Sequence, residues 1–379
     1  MQSNYKPIGD YIYLLDERNK ELKVTKLLGL SISKEFIPSV ANTVGTDMRN
    51  YKIIRKNQFA CSTMQVRRDR KMPVALLTDF DEAIISQAYP IFEIHDKNQL
   101  LPEYLMMWFS RAEFDRHAEF LAVGGVRGTL EWEDFLAMEL PVPSIEKQHE
   151  IVTEYNVVKD RIHLNEQLNQ KLEETAQALY RYWFVDLEAD LKLEELIEFN
   201  PRHTISKGVK TLYVEMSDVQ ENSMNITNEI WREYNSGTKF RLYDTLLARI
   251  TPCLENGKTA FVNNIPKEVV AFGSTEFIVM RARKGVSPFW IYCLAKDEDF
   301  RNYAISSMIG SSGRQRVHSD YLKKYGVSRR KFENMQIFHE KAMSIFFEIY
   351  SRFKQNKALK ELKTVLLIKM AKVEENELA

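Results

Sequence analysis

The motifs in this chain that come nearest to catalytic chemistry all fall short. "FNPRH" (199–203) supplies Asn200 and Pro201, but the [D/N]PP[Y/F] loop of an adenine methyltransferase needs a second proline and an aromatic, and neither follows. "PCLENGKT" (252–259) ends like a phosphate-binding loop, yet Pro252 stands where the first glycine must be, so no nest of backbone amides can form. "HEIVT" (149–153) begins like the zinc motif HExxH and places Thr153 where the second histidine ligand belongs. "GSSG" (310–313) lacks the GxSxG spacing of a nucleophile elbow, and no FxGxG cofactor loop is present. No acid pair with a nearby lysine has nuclease spacing. The chain reads as a non-enzyme with neither metal nor catalytic residues.

What remains is recognition chemistry. Two glycine-rich turns carry arginine, "GGVRGTL" (124–130) and "GSSGRQRV" (310–317). Glycine lets backbone approach a partner closely, and arginine binds guanine edges or phosphates in a two-pronged way. Gly125, Arg127 and Thr129 are the candidates in the first turn; Ser312, Arg314, Gln315 and Arg316 are those in the second, with Gln315 suited to adenine. "MQVRRDRKM" (64–72) adds Gln65, Arg67, Arg68, Arg70 and Lys71, and Arg249 and Lys258 complete the DNA-binding set. The alternative keeps each turn arginine on a neighbouring carboxylate such as Glu131, Glu133 or Asp320.

The charge distribution sharpens this. The 53 basic and 53 acidic residues cancel, which taken alone argues against a nucleic-acid protein. Residues 55–71, however, hold six bases against Asp69, and residues 310–331 hold seven against Asp320. Phosphates feel such local patches, because salt limits electrostatic reach to ~8–10 Å. A solvated surface is the bland account of either run.

These candidates sit within an internal repeat. Shifting the chain by about 187 positions lays "AEFDRHA" (112–118) on "EDFRNYA" (298–304), "ISQAYPIFEI" (85–94) on "GSTEFIVMRA" (273–282) and "NQFACS" (57–62) on "DTLLAR" (244–249). Each copy is roughly 140 residues of mixed, strand-leaning sequence followed by a long helix. The first helix starts after "PVPS", with Ser144 as its cap, and residues 145–187 contain neither Gly nor Pro, enough for ~65 Å of helix. The second runs from about Arg330 to Val373. Both show heptad steps: Ile151, Tyr155, Val158, Ile162, Asn165, Asn169, Leu172, Ala176, Leu179 and Trp183 match Phe338, Ala342, Ile345, Ile349, Arg352, Asn356, Leu359, Lys363, Leu366 and Met370 one for one. The pattern predicts a two-helix seam in which asparagines fix register. Connectivity then requires the helices to run antiparallel, with domains at opposite ends of a rod. Two amphipathic helices, each packed on its own domain, are the alternative.

Composition bounds the rest. A hydrophobic share of 44% with 28% charge describes a globular chain. Apolar runs such as "VLLI" (365–368) are far short of the ~20 residues a membrane span needs, and no signal peptide is expected after Met1. Cys61, Cys253 and Cys293 lack CxxC spacing and fit reduced thiols in a cytoplasm.

At this point the residues resemble a known family, the specificity subunits of Type I restriction–modification systems, over essentially the whole chain. "LPEYLMMWFSRAEFDRHA", "GGVRGTLEWEDF" and "LPVPSIEKQHEIV" look like that family's first target recognition domain and the start of its central helix; "LYDTLLARITPCLENGKTAFV" and "GSSGRQRVHSDYL" look like a second domain. The resemblance implies an α+β fold: two mixed α/β target recognition domains (1–143 and 189–329) separated by two long antiparallel coiled-coil helices (144–188 and 330–379). An internal pseudo-two-fold repeat relates the halves. It further implies that each domain reads half of a bipartite double-stranded DNA site while the helices set the unread spacer. Two methylation subunits would dock on the helices, with restriction subunits joining them. No cofactor is expected in this chain, S-adenosylmethionine belonging to the methylation subunits. Tyr180, Tyr182 and Trp183 are the expected methylation-subunit contact. A coiled-coil scaffold presenting two protein-binding domains is the competing reading.

Overall fold

The computed structural model describes residues 5–39, 45–124, 128–185, 188–311, 313–328 and 332–372. The chain divides into two compact units, Met1–Arg161 with Leu359–Ala379, and Ile162–Ala358.

In the first unit a four-stranded antiparallel sheet runs in the order Ile12–Leu15, Ile91–Ile94, Phe59–Cys61, Val74–Leu76. Successive side chains of a strand point to opposite faces. One face therefore carries Phe59 and Phe92, which pack with Phe109 of helix Pro102–Phe109, Phe114 of helix Ala112–Leu121 and Phe135 of helix Trp132–Ala137. The other face carries Ala60 and Ile91, buried with Ile54, Ala83 and Ile85 of a second layer. That layer consists of two hairpin-like pairs, Leu28–Leu30 with Phe36–Pro38 and Lys52–Arg55 with Glu82–Ile85, joined by a parallel bridge between Leu27 and Ile84.

The second unit repeats this plan. Its main sheet runs Ile197–Phe199, Phe277–Ala282, Thr245–Ala248, Thr259–Phe261, and helices Pro288–Lys296 and Glu298–Ser306 follow in the same order. Here the second layer is one four-stranded sheet, Ile230–Glu233, Lys210–Val214, Ala271–Gly273, Thr238–Phe240, with its parallel pair at the centre. The repeat is thus real, but one sequence alignment needs correction. Ala60 pairs with Ile91, and Leu246 pairs with Val279; each pair is buried between the two layers of its unit. Ala60 therefore corresponds to Leu246, whereas laying 57–62 on 244–249 puts it on Leu247. A slip of one residue turns a strand inside out, and Leu247 indeed faces the helices.

The first long helix spans Ile145–Phe184, and Ser144 caps it by accepting a hydrogen bond from the Lys147 amide at 3.3 Å. It ends before Leu187, which with Asp186 lies outside the described residues. The second long helix spans Met335–Lys369, starting later than the expected Arg330, after a 3₁₀ turn at Phe332–Asn334. Arg329, Arg330 and Lys331 lie outside the described residues.

The helices pair antiparallel. Within the second unit, the Asn165 amide donates to Asn356 Oδ1 and Gln355 Oε1, each at 2.8 Å, Asn356 donates to the Ile162 carbonyl at 3.2 Å, and Asn169 to the Ile349 carbonyl at 3.3 Å. Tyr155, Val158, Ile162, Ile349 and Leu366 are buried along the seam, as are Asn165 and Asn356. Leu172, Leu179, Ile345 and Leu359 are half-buried, and Val152 takes the buried position expected of Ile151. A 3.6-residue helix drifts against a strict heptad, which moves such positions to the seam's flank. Two seam cations are accommodated locally: Arg352 bonds Glu348 at 2.6 Å, and the Lys363 ammonium lies 5.5 Å from the Tyr155 ring centre within the first unit. Among the described residues no helix is long and apolar enough to cross a membrane. Cys61 and Cys293 are buried free thiols, and Cys253 is a half-buried one.

Candidate nucleic-acid interface

In the first unit the structure joins two motifs that are some 60 residues apart in sequence. Val66–Asp69 forms a single helical turn whose flanks, Gln65 and Arg70, both adopt left-handed backbone at φ 65° and 51°. Arg67 lies against the glycine-rich turn: a methyl group on Gly128, itself at φ +37°, would meet Arg67 Cβ at 2.5 Å. The Leu130 amide bonds the Thr63 carbonyl at 3.0 Å, and Val123 bridges Thr129 across the mouth of the turn. Arg67, Arg68, Arg70, Lys71 and Thr129 are exposed, and Gln65 is half-buried. Gly125 and Arg127 lie outside the described residues.

Asp115 holds this ridge in place. Its carboxylate accepts from the Met72 amide at 3.1 Å and pairs with Lys34 at 2.8 Å, while Lys34 also donates to the Phe109 carbonyl. Burial pushes the Lys34 ammonium down from its ordinary pKa, and Asp115 opposes that shift. Arg68 forks onto its neighbour Asp69 at 2.7 and 3.0 Å, and Arg70 lies 3.8 Å from Glu119. The result is a cationic turn with a fixed backbone and its side chains in solvent, suited to phosphate oxygens.

The second unit arranges its cations differently. Arg316 forks onto Glu276, with contacts of 2.7 to 3.1 Å, and that bond with the guanidinium holds the Glu276 carboxyl below its usual range. The carboxylate reading of the turn is therefore right for Arg316, but the acid is Glu276; Asp320 pairs with Lys323 at 2.7 Å instead. Gln315 is pinned through its carbonyl, which accepts from the Thr251 amide and hydroxyl at 3.1 and 3.2 Å, leaving its half-buried side chain beside exposed Arg314. Arg249 is half-buried, and its Nε, buried in the same corner, has no hydrogen-bond partner among the described residues. Lys258 is half-buried, and its ammonium donates to the Met216 carbonyl at 3.2 Å. Ser312 lies outside the described residues.

A further cationic corner escapes the sequence because its members are scattered. Lys239 donates to the His203 carbonyl at 2.9 Å, and Arg281 forks onto buried Asp244 at 2.6 and 2.7 Å. Burial, then Arg281, Arg241 and Lys239, push the His203 imidazole down to about 4, so it is neutral at physiological pH. No run of charge in the sequence signals this cluster.

The expected methylation-subunit surface needs revision. Tyr180 is 3% exposed and packs against Phe184 and Trp290 in the core of the second unit. Trp183 is half-buried with its ring against Phe338. Only Tyr182 of the three stands in solvent, at 75% exposure. A helix that buries one face in a domain cannot offer all its aromatics to a partner. Among the described residues no group of His, Cys, Asp and Glu is arranged to hold a metal ion.

The chain superimposes on the S subunit of a Type I restriction–modification system from M. genitalium with a TM-score of 0.58, over 97% of this chain and 95% of that one, at 13% identity. In sequence it is similar to Type I restriction enzyme specificity subunits. It is 29% identical over 139 residues to the HindI specificity subunit of Haemophilus influenzae, and 22% identical over 306 residues to the MjaIX specificity subunit of Methanocaldococcus jannaschii. These matches span 36% of this chain and 30% of the Haemophilus protein, and 72% and 69% for the Methanocaldococcus pair. No protein-family model matches the chain.

Proposed function

We propose that this chain is the DNA-recognition subunit of a Type I restriction–modification complex, each unit reading one half of a bipartite site. The observation that carries the reading is the repeat itself: two copies of one scaffold, each with an arginine-bearing glycine turn bonded to a neighbouring strand or turn. Phosphate contacts from Arg67, Arg68, Arg70, Lys71 and Arg314 position the duplex, and oriented groups such as Gln65, Gln315 and Arg316 read base edges in the major groove. The carboxylate of Glu276 fixes the fork of Arg316, which favours base reading over loose phosphate contact.

The long helices set the unread spacer, with half-sites about one duplex turn (~34 Å) apart. Exposed Tyr182 and the outer helix faces dock two methylation subunits. Those subunits carry S-adenosylmethionine and the methyl-transfer chemistry, restriction subunits supply cleavage, and the complex works in the cytoplasm. Because the methylated adenine must leave the stack, DNA is distorted near each half-site.

Mapping methylated adenines in the host defines the target, and inserting one heptad into the helices tests the ruler. Seven residues add ~10 Å, about three base pairs, to the recognised spacer. An unchanged spacer would sink that role. The second reading, a non-enzymatic scaffold, is favoured by zero net charge and by arginines already paired inside the protein. A salt titration of DNA binding by the assembled complex separates the two, since a scaffold has negligible slope.

A further inference from the structure

Around the basic turn of the first unit, three large apolar side chains stand in water. Phe120 is 84% exposed, Val123 58% and Met64 47%. All belong to the segments that build the ridge. Met64 directly precedes Gln65, Phe120 lies near the end of Ala112–Leu121, and Val123 bridges Thr129 at the mouth of the glycine turn. The same helix bonds the ridge through Asp115 and approaches it through Glu119, so Phe120 follows directly on a residue facing Arg70.

Single exposed apolar residues are ordinary, but a phenyl ring this bare, next in sequence to the Glu119 that approaches Arg70, has together with the cations of that turn the make-up of a nucleic-acid contact. The cations suit phosphates, and the ring suits the π-face of a base. The second unit lacks the ring. The aligned helices place Ala118 on Ala304, hence Phe120 on Ser306 and Val123 on Ile309, the latter 55% exposed at the mouth of its own turn.

Building on the DNA-recognition reading above, we propose that Phe120, flanked by Val123 and Met64, is an apolar wedge that the first unit presses into a base-pair step of its half-site. Arg67, Arg70 and Lys71 hold the flanking phosphates, which offsets the cost of unstacking, and flexible pyrimidine–purine steps yield most readily. The two half-sites are then treated unequally: one is deformed by this chain, and the other is recognised without a wedge.

The test uses the complete complex with its methylation subunits on duplexes carrying 2-aminopurine at successive positions of each half-site, comparing wild type, Phe120→Ala and Phe120→Trp. Beyond the signal of each flipped adenine, wild type and Phe120→Trp should raise fluorescence at one further step, in one half-site only. Phe120→Ala should abolish that signal and weaken specific binding ~10-fold, the loss of one stacked ring, with the salt slope and the other half-site unaltered. Because the ring is exposed, an intact circular dichroism spectrum and normal assembly are expected of both variants. Wild-type fluorescence and affinity in Phe120→Ala, or equal losses at both half-sites, would overturn the wedge. A wild-type complex without sequence-dependent binding would overturn the DNA-recognition reading and the wedge together.

Discussion

The two units share a scaffold but hold their cations by opposite strategies. In the first, a short turn with strained, left-handed flanks places Arg67, Arg70 and Lys71 in solvent, and the anchoring is done underneath by buried Asp115 and Lys34. In the second, two guanidiniums are set on carboxylates, Arg316 on Glu276 and Arg281 on Asp244, while Arg314 stays exposed. A free cation buys affinity without discrimination, whereas a fixed fork gives geometry at the expense of net charge. Core pattern dictates the common sheet order, and the surface is left free to diverge.

The largest expected effect breaks the first unit's anchor. Asp115→Ala leaves Lys34 buried without its counter-charge and the Met72 amide without its acceptor, costing about 3–5 kcal/mol in urea unfolding of that unit. Gly128→Ala comes next, at about 1–3 kcal/mol, because it forces a Cβ onto Arg67 at a positive φ; DNA protection should fall at one half-site only.

In the second unit, Glu276→Gln converts the fixed fork into a free cation. The expected outcome is a steeper salt slope, by about one unit, together with poorer discrimination at one half-site, read by competition with mismatched duplexes. If discrimination is unchanged, the contrast between the units is cosmetic.

The smallest effect concerns Glu173 on the first long helix, which accepts from the Met224 amide at 2.9 Å and the Tyr292 hydroxyl at 3.0 Å. Burial raises its carboxyl pKa, and both hydrogen bonds oppose the shift. A raised folded-state value means that its stabilisation is complete below the unfolded pKa and lost as pH rises through the folded one. Glu173→Gln should flatten that decline in thermal unfolding between acid and neutral pH, and the first unit should show no matching change.

Much of this was legible in the sequence. Gly- and Pro-free runs with heptad steps marked the helices, between which Asn165 bonds Asn356. The repeat was readable because Phe114/Phe300 and Ala118/Ala304 are core positions on equivalent helices. Other features depend on distance in space. Glu276 and Arg316 are 40 residues apart, so no local pattern could pair them. Tyr180 looked like surface because the helix is polar overall, and only the domain packed on it reveals which side is inside. The strand 59–61 was misaligned by one because its residues are buried on both faces and alternation is silent there.

The cysteines provide a handle on the second unit. Burial pushes the Cys61 and Cys293 thiols far above their usual range, so at neutral pH they stay protonated and shielded from alkylating dyes. Cys253 is half-exposed, two residues after Thr251, which bonds the Gln315 carbonyl. A maleimide fluorophore added to the natural chain should therefore settle at one position, beside the arginine turn. It would report occupancy of one half-site without any engineered label.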